Sequence, residues 1–207
     1  MTSKANQYAR KADGWSDREY ADPGVYLERR ADQVIALGHQ LHTGDVVLDL
    51  ACGDGGLGAA LLERGLRYRG IDSEPAMVAA AKRRLGEDAA IEVGDLNTFE
   101  PSEPVTAITV FRALYYATDR EAFFDRARAF TTGKLVFDLN PRQVPLRTVV
   151  TELHRSGFEH VAVRPFFVPQ TARLARPLAG ALQLAERCGP LARLMLRTRF
   201  TYIVAAF

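Results

Sequence analysis

The feature that most constrains the fold of this chain is a regular alternation of short apolar runs with segments of helical periodicity. Apolar runs that predict strands lie at residues 46–51, 68–72, 90–95, 105–111 and 134–139. Segments with helical spacing of apolar residues lie at 23–38, 56–65, 74–86 and 121–130. Strands that alternate with helices form βαβ units, and such units build a parallel sheet. The sequence therefore predicts an α/β protein.

The pattern changes after residue 157. Runs at 158–168 and 199–207 predict two further strands, which can pair as a hairpin at the edge of the sheet. Between them, leucine and alanine alternate with arginine at helical spacing, with interruptions around Pro177 and at Gly189–Pro190. We therefore expect seven strands in all and a helical insertion before the last one.

Size, charge and cysteine content exclude several classes of protein. A chain of 207 residues fits one hydrophobic core and leaves no room for a second full domain. Its net charge of +2 is far from the basic excess of nucleic-acid-binding proteins. No long uninterrupted apolar stretch is present and residues 1–20 carry charges, so we predict neither a membrane span nor export. Cys52 and Cys188 form no metal-ligand spacing, which predicts a reduced cytoplasmic protein without a metal site.

The first strand runs directly into a glycine-rich turn, with the sequence VVLDLACGDGGLG. Gly53 and Gly55 fall where the chain must turn sharply from a strand into a helix. Because glycine has no Cβ, it adopts positive φ and lets the backbone approach a ligand closely, while the next helix offers free N–H groups. The turn therefore predicts a nucleotide-binding site.

Two kinds of nucleotide are compatible with this turn. Gly53, Gly55 and Gly58 satisfy G-x-G-x-x-G, and Asp72 ends the next strand, which is typical of an NAD-dependent oxidoreductase. However, Asp49 lies in the strand before the turn and Asp95 ends the third strand. A carboxylate beside the turn repels a pyrophosphate and suits a ligand with an amino group and a sulfonium.

The segment DLACGDG at 49–55 resembles the acidic-x-Gly-x-Gly-x-Gly motif of class I S-adenosylmethionine-dependent methyltransferases, with Ala51 in place of the first glycine. The resemblance continues through GIDSEPAMVAAA at 70–81 and GDL at 94–96, and it covers roughly residues 44 to 140. It implies a Rossmann-like, seven-stranded, mostly parallel sheet with helices on both faces. In a single domain, 1–207, residues 1–43 would be an N-terminal helical cap, 44–168 and 199–207 the core, and 169–198 the insertion.

The resemblance also implies S-adenosylmethionine as cofactor and a set of residues that bind it. Asp72 would accept hydrogen bonds from the ribose hydroxyls. Met77 would pack on the adenine face, and Asp95 with the backbone of Leu96 would meet the adenine amino group. The glycine turn would hold the methionine moiety. The full predicted set is Asp49, Ala51, Gly53, Gly55, Asp72, Ser73, Met77, Asp95, Leu96 and Phe111.

An N-terminal cap would close over the cofactor. Its aromatic side chains, Tyr8, Trp15, Tyr20 and Tyr26, would exclude water, and either Arg29 or Arg30 would meet the cofactor carboxylate. For Tyr26, packing in the core is as good an interpretation as this role in excluding water. For Tyr8, exposure to solvent is the better interpretation.

The acceptor site is predicted from strand ends, because ligands of open parallel sheets bind beyond the carboxyl ends of the strands. Tyr115 and Tyr116 follow the fourth strand and Asn140 follows the fifth. The segment FRALYY lacks the Asp/Asn-Pro-Pro-aromatic signature of base methyltransferases, which favours an O or N atom of a small molecule as acceptor. Arg112 would pair either with a substrate anion or with Asp119. A catalytically silent cofactor-binding protein stays open as an alternative, because methyl transfer needs few dedicated side chains.

The insertion is expected to cover the acceptor opening. Five leucines at helical spacing would be buried against the domain, namely Leu174, Leu178, Leu182, Leu191 and Leu194. Residues 169–199 would then offer a membrane only a weak electrostatic contact. We expect no nucleic-acid partner, and the sequence leaves the oligomeric state open.

Overall fold

A seven-stranded sheet forms the centre of the computed structural model, which describes residues 12–170, 173, 175–195 and 201–207. The strands are β1 (Val46–Leu50), β2 (Arg67–Asp72), β3 (Ala90–Val93), β4 (Val105–Val110), β5 (Thr131–Leu139), β6 (Val161–Phe166) and β7 (Thr201–Ala206). They lie in the order β3-β2-β1-β4-β5-β7-β6. The first five strands are parallel, whereas β7 runs antiparallel to both β5 and β6. The predicted Rossmann-like, mostly parallel sheet is therefore confirmed.

Helices cover both faces of this sheet. They are α1 (Trp15–Glu19), α2 (Pro23–Ala36), α3 (Gly56–Leu62), α4 (Pro75–Leu85), α5 (Arg120–Phe130), α6 (Leu146–Arg155), α7 (Arg176–Arg187) and α8 (Gly189–Met195), with a 3-10 turn at Leu114–Tyr116. Successive strand residues point to opposite faces. Accordingly, one apolar cluster joins alternate strand residues to α2, α3 and α4, and another joins the remaining strand residues to α5 and α6.

Side-chain caps fix where several helices begin. Asp22 accepts a hydrogen bond from the Val25 N–H at 3.2 Å, and Asp119 accepts one from the Ala122 N–H at 3.0 Å. Each cap satisfies a backbone donor that the first helical turn leaves free. Helix α6 has no such cap, since Pro145 precedes it, and the sequence pattern did not predict it. Helix α1 was also missed, because the first helical spacing in the sequence begins at residue 23.

The predicted burial of the insertion's leucines is wrong. Leu178, Leu191 and Leu194 are exposed and Leu182 is half-buried, while Leu174 lies outside the described residues. Among the side chains of α7 that the structure describes, Ala185 and Glu186 are the buried ones. In the described part of the chain, no helix is both long and apolar enough to cross a membrane.

Candidate active site

The glycine turn between β1 and α3 has the backbone geometry that its sequence predicts. Gly53 and Gly55 have positive φ, at 59° and 74°. Ala51 also has positive φ, at 57°, although it carries a Cβ. This conformation costs an alanine ~1–2 kcal/mol relative to glycine. Ala51 stands where the family motif has its first glycine, so the backbone at this position is strained in this chain. The sequence alone did not predict this strain.

A cavity of about 440 Å³ lies beside the glycine turn, at the carboxyl ends of β1, β2 and β4. Its volume is within the range of small-molecule sites. Most of the predicted site residues line it, namely Asp49, Ala51, Gly53, Asp72, Ser73, Met77, Asp95, Leu96, Phe111 and Tyr116. Gly55 does not line the cavity. A Cβ on Gly55 would lie 3.0 Å from Leu85, so this glycine lets α4 pack closely against the turn.

Asp72 connects the end of β2 to the glycine turn. Its Oδ2 accepts a hydrogen bond from the Gly53 N–H at 2.8 Å, and its Oδ1 accepts one from the Glu74 N–H at 2.9 Å. Burial raises the pKa of this carboxyl, although the two hydrogen bonds act in the opposite direction. Each oxygen keeps a lone pair for a further donor. The carboxylate is therefore held in place and can still accept hydrogen bonds from a ligand.

Asp49 is buried beneath the turn and lines the same cavity. The Thr109 hydroxyl donates to it at 2.7 Å and the Tyr68 hydroxyl at 2.9 Å. Burial raises the pKa of Asp49 to about 6, because desolvation of the charge outweighs the two hydrogen bonds. A cationic group placed in the cavity would stabilise its ionised form.

Two apolar side chains and one exposed carboxylate form another part of the cavity wall. Met77 and Leu96 are buried, at the start of α4 and after β3. Asp95 is exposed, and its Oδ1 accepts hydrogen bonds from both the backbone and the side-chain nitrogens of Asn97, each at 2.8 Å. This wall offers a flat apolar group a surface next to a hydrogen-bond acceptor.

Arg30 is the buried cation of the cavity. Its guanidinium lies over the rings of Phe111 and Tyr26, at 4.5 and 4.6 Å from their centroids, and pairs with Asp138 at 3.1 Å. Its Nε has no hydrogen-bond partner among the described residues. By contrast, Arg29 pairs with Glu186. Of the two arginines proposed for a ligand carboxylate, only Arg30 lines the cavity.

Helix α1 closes one side of the cavity. Trp15, Ser16 and Tyr20 line it, and the Tyr20 ring stacks on that of Tyr26 at 4.1 Å. Asp54, which is buried in the glycine turn, accepts hydrogen bonds from both the backbone N–H and the hydroxyl of Ser16. The aromatic composition predicted this cover, but no sequence pattern indicated the link between Ser16 and Asp54. Tyr8 lies outside the described residues.

Arg112 holds α1 against the end of β4. Its guanidinium pairs with Glu19 at 3.4 Å and lies over Trp15 at 5.3 Å. Its backbone has positive φ, at 55°, and its N–H donates to Asp138 Oδ1 at 2.6 Å. The suggested pairing of Arg112 with Asp119 is wrong, because Asp119 caps α5 instead.

The structure has a second cavity of about 340 Å³, and Arg112 lines both cavities. Tyr115 and Asn140 lie in its wall with Arg120 and Gln143. The three predicted acceptor-site residues are therefore divided, because Tyr116 lines the first cavity. Among the described residues, no cluster of His, Cys, Asp and Glu side chains has the arrangement of a metal site.

Comparison with known proteins assigns the chain to a family. A family model described as a methyltransferase domain matches residues 47–133. A methyltransferase of Geobacillus kaustophilus is 32% identical over 167 residues, which cover 76% of this chain and 74% of that protein. The chain belongs to the class I S-adenosylmethionine-dependent methyltransferases. A methyltransferase of Geobacillus thermodenitrificans is 34% identical over 140 residues, covering 64% of this chain and 61% of that protein's length.

Solved structures support the fold of this methyltransferase. A Haloferax volcanii methyltransferase in complex with the activator Trm112 superposes with a TM-score of 0.69 at 18% identity, covering 97% and 96% of the two chains. Phosphoethanolamine N-methyltransferase 2 of Haemonchus contortus, in complex with S-adenosylmethionine, gives 0.64 at 17% identity, covering 99% of this chain and 57% of that one. At such identities the likeness concerns the fold alone. The family assignment makes S-adenosylmethionine the cofactor and decides against the NAD-dependent alternative.

Proposed function

We propose that this methyltransferase transfers the methyl group of S-adenosylmethionine to an O or N atom of a small polar molecule held in the second cavity. The observation that carries the proposal is that Arg112 lines both cavities. Tyr116 lines the first cavity, and Tyr115 and Asn140 line the second. An acceptor in the second cavity would thus approach a cofactor in the first beside Arg112.

The first cavity has a suitable group for each part of the cofactor. Asp72 keeps lone pairs for the ribose hydroxyls, and Met77 with Leu96 offers an apolar surface to the adenine. Arg30, whose Nε is buried without a partner, would meet the carboxylate. Asp49 would face the cationic groups at the methionine end. These residues therefore fit the cofactor in shape and in charge.

Few side chains are needed for the reaction itself. The bound cofactor supplies a methyl group that is already activated by its sulfonium. The protein aligns the acceptor with it and excludes water. We assign the alignment to Tyr115, Tyr116 and Asn140. We assign the exclusion of water to Trp15 of α1 and to Tyr20, which follows this helix. Tyr115 is 60% exposed, so a bound acceptor would cover it.

A small acceptor is favoured over a nucleic acid. Curated relatives include a ribosomal RNA small subunit methyltransferase H of Prochlorococcus marinus and a trans-aconitate 2-methyltransferase of Escherichia coli O157:H7, matched over 61% and 59% of this chain. The volume of the second cavity, about 340 Å³, and the low net charge favour a small molecule. The cytoplasmic location expected from the sequence stays a prediction.

A product assay tests the proposal. S-adenosylhomocysteine released from S-adenosylmethionine is measured with panels of small carboxylic acids, amines and phenols, and separately with ribosomal RNA. We expect turnover with a small-molecule panel. Methylation of RNA alone would reject the small acceptor, and no turnover by a protein that binds the cofactor would favour the catalytically silent alternative.

Variants then test the location of the acceptor. Tyr115→Phe, Tyr116→Phe and Asn140→Ala should lower turnover on the order of tenfold each while cofactor affinity is retained. Thr151→Ala, exposed on α6 and outside both cavities, is the matched control. Full turnover in all three variants would place the acceptor elsewhere.

A further inference from the structure

Helices α7 and α8 present apolar side chains to solvent. The exposed fractions are 51% for Leu178, 71% for Leu184, 40% for Leu191 and 56% for Leu194. The two helices contact each other and β6, so their exposed leucines lie on neighbouring elements of the fold. Single exposed leucines need no explanation, whereas a group of them indicates an interaction surface.

A buried ion pair fixes the orientation of α7. The Glu186 carboxylate pairs with Arg29 of α2 and accepts a hydrogen bond from the Phe167 N–H at 2.9 Å. Ala185 is buried beside it. Because this side of the helix is held against the domain, rotation cannot bury Leu184 without breaking the ion pair. The outward position of the leucine is thus a consequence of the fold.

The same segment is strongly cationic in sequence. Residues 169–199 contain the arginines Arg173, Arg176, Arg187, Arg193, Arg197 and Arg199. Glu186 is the only acidic residue among them, and Arg29 already neutralises it. The rest of the chain has more acidic than basic residues. Positive charge is therefore concentrated in the segment that exposes leucine.

We propose that α7 and α8 dock on the surface of an anionic lipid bilayer. Helices that combine arginine with exposed leucine lie in the membrane interface, with apolar side chains among the acyl chains and cations at the phosphates. Residues 169–199 contain no aromatic residue. Protein interfaces concentrate their binding energy in aromatic anchors and use few leucines, so exposed leucines without aromatic residues favour lipid over an acidic protein.

Docking would bring one particular part of the molecule to the lipid. Gln170 precedes this segment in the chain and Thr201 follows it. Both residues line the second cavity. A docked molecule therefore holds this cavity close to the lipid headgroups. The docking itself does not depend on the acceptor's identity, so its test is independent of the proposed function.

Co-sedimentation of the full chain with vesicles tests the proposal. Vesicles of equal parts phosphatidylcholine and phosphatidylglycerol are compared with vesicles of phosphatidylcholine alone. We expect binding to the anionic vesicles at physiological salt, weaker binding to the neutral ones and a decrease as salt increases. The double variant Leu184→Gln/Leu194→Gln should lower the anionic partition coefficient on the order of tenfold.

The matched control is Leu62→Gln/Val93→Gln, which removes two exposed apolar side chains from α3 and β3. It should bind vesicles as the unmodified protein does, and melting curves of both double variants check that the fold is intact. No capture by anionic vesicles would overturn the proposal and direct the search to an acidic protein. Equal binding by the two double variants would overturn it as well.

Discussion

The first cavity, where we propose that the cofactor binds, and the surface of α7 and α8 differ in how their side chains are held. In the cavity, Asp49, Asp54 and Asp72 are buried, and each accepts hydrogen bonds from at least two groups. On the two helices, leucines extend into solvent. A cofactor shared by a family needs a preorganised site, which leaves a motif in the sequence. A surface that binds its partner through apolar area and charge, as proposed for α7 and α8, leaves only a bias in amino-acid composition.

The largest effect is expected from a buried leucine on the cofactor side. Leu61 of α3 is fully buried behind the glycine turn. Leu61→Ala should lower the free energy of unfolding by ~2–5 kcal/mol, because it leaves a cavity in a packed core. Urea denaturation measures this. A loss as small as that of an exposed position would break the contrast between the two regions.

Cofactor affinity should depend strongly on Asp72. Asp72→Ala removes the carboxylate assigned to the ribose and two hydrogen bonds within the turn. Affinity for S-adenosylhomocysteine, measured by calorimetry, should fall about a hundredfold. Asp95→Ala is the matched variant, and its effect should be smaller because Asp95 is exposed. Unchanged affinity in a folded Asp72 variant would refute its assignment.

Asp49 predicts opposite pH dependences for stability and for cofactor affinity. Its pKa in the folded protein, about 6, lies above the ordinary value of 3.8. Its stabilising contribution is therefore complete below the unfolded pKa and is lost as pH rises through about 6. The cofactor's cationic groups favour the ionised carboxylate, so affinity should rise on the order of tenfold as pH rises through the same range.

Melting temperatures and calorimetric titrations between about pH 5 and pH 8 measure the two trends. Asp49→Asn has no ionisable carboxyl at this position, so it should flatten both curves around pH 6. If the variant keeps the wild-type pH profile of affinity, another group controls cofactor binding.

The smallest effect is expected on α7. Leu184→Ala should change the free energy of unfolding by no more than ~0.5 kcal/mol, since the side chain is mostly exposed and leaves no cavity. Urea denaturation compares it with Leu61→Ala, the same substitution at a buried site. A large loss at Leu184 would mean that α7 packs on the domain through its leucines after all.

Local patterns in the sequence predicted most of the fold. The periodicity of apolar residues and the position of turn residues predicted all seven strands and the helices α2 to α5. These signals lie within a few neighbouring residues. Helix α6 was missed because it starts after Pro145 without a side-chain cap. The burial of leucines in α7 was predicted wrongly because the inward position belongs to Glu186, whose partner Arg29 is 157 residues away.

Local patterns in the sequence also predicted part of the candidate site. The motif from Asp49 to Asp95 predicted residues that line the first cavity, because these residues lie at or near the carboxyl ends of parallel strands. Contacts between distant segments left no signal, such as those of Asp54 with Ser16 and of Arg112 with Glu19. The three proposed acceptor-site residues were predicted from the strand order alone, without a motif. They lie in two different cavities.

Calorimetric titration of the full chain with S-adenosylhomocysteine and with NAD tests the central claim, that the cavity beside the glycine turn is a site for the methyl-donor cofactor. Asp49 and the buried Arg30 carry charges opposite to those proposed to face them at the methionine end of the cofactor, and Asp72 offers acceptors to its ribose hydroxyls. We predict one site for S-adenosylhomocysteine, with a dissociation constant on the order of micromolar, and far weaker binding of NAD. NAD binding as tight as that of S-adenosylhomocysteine, or a folded protein that binds neither, would contradict the account.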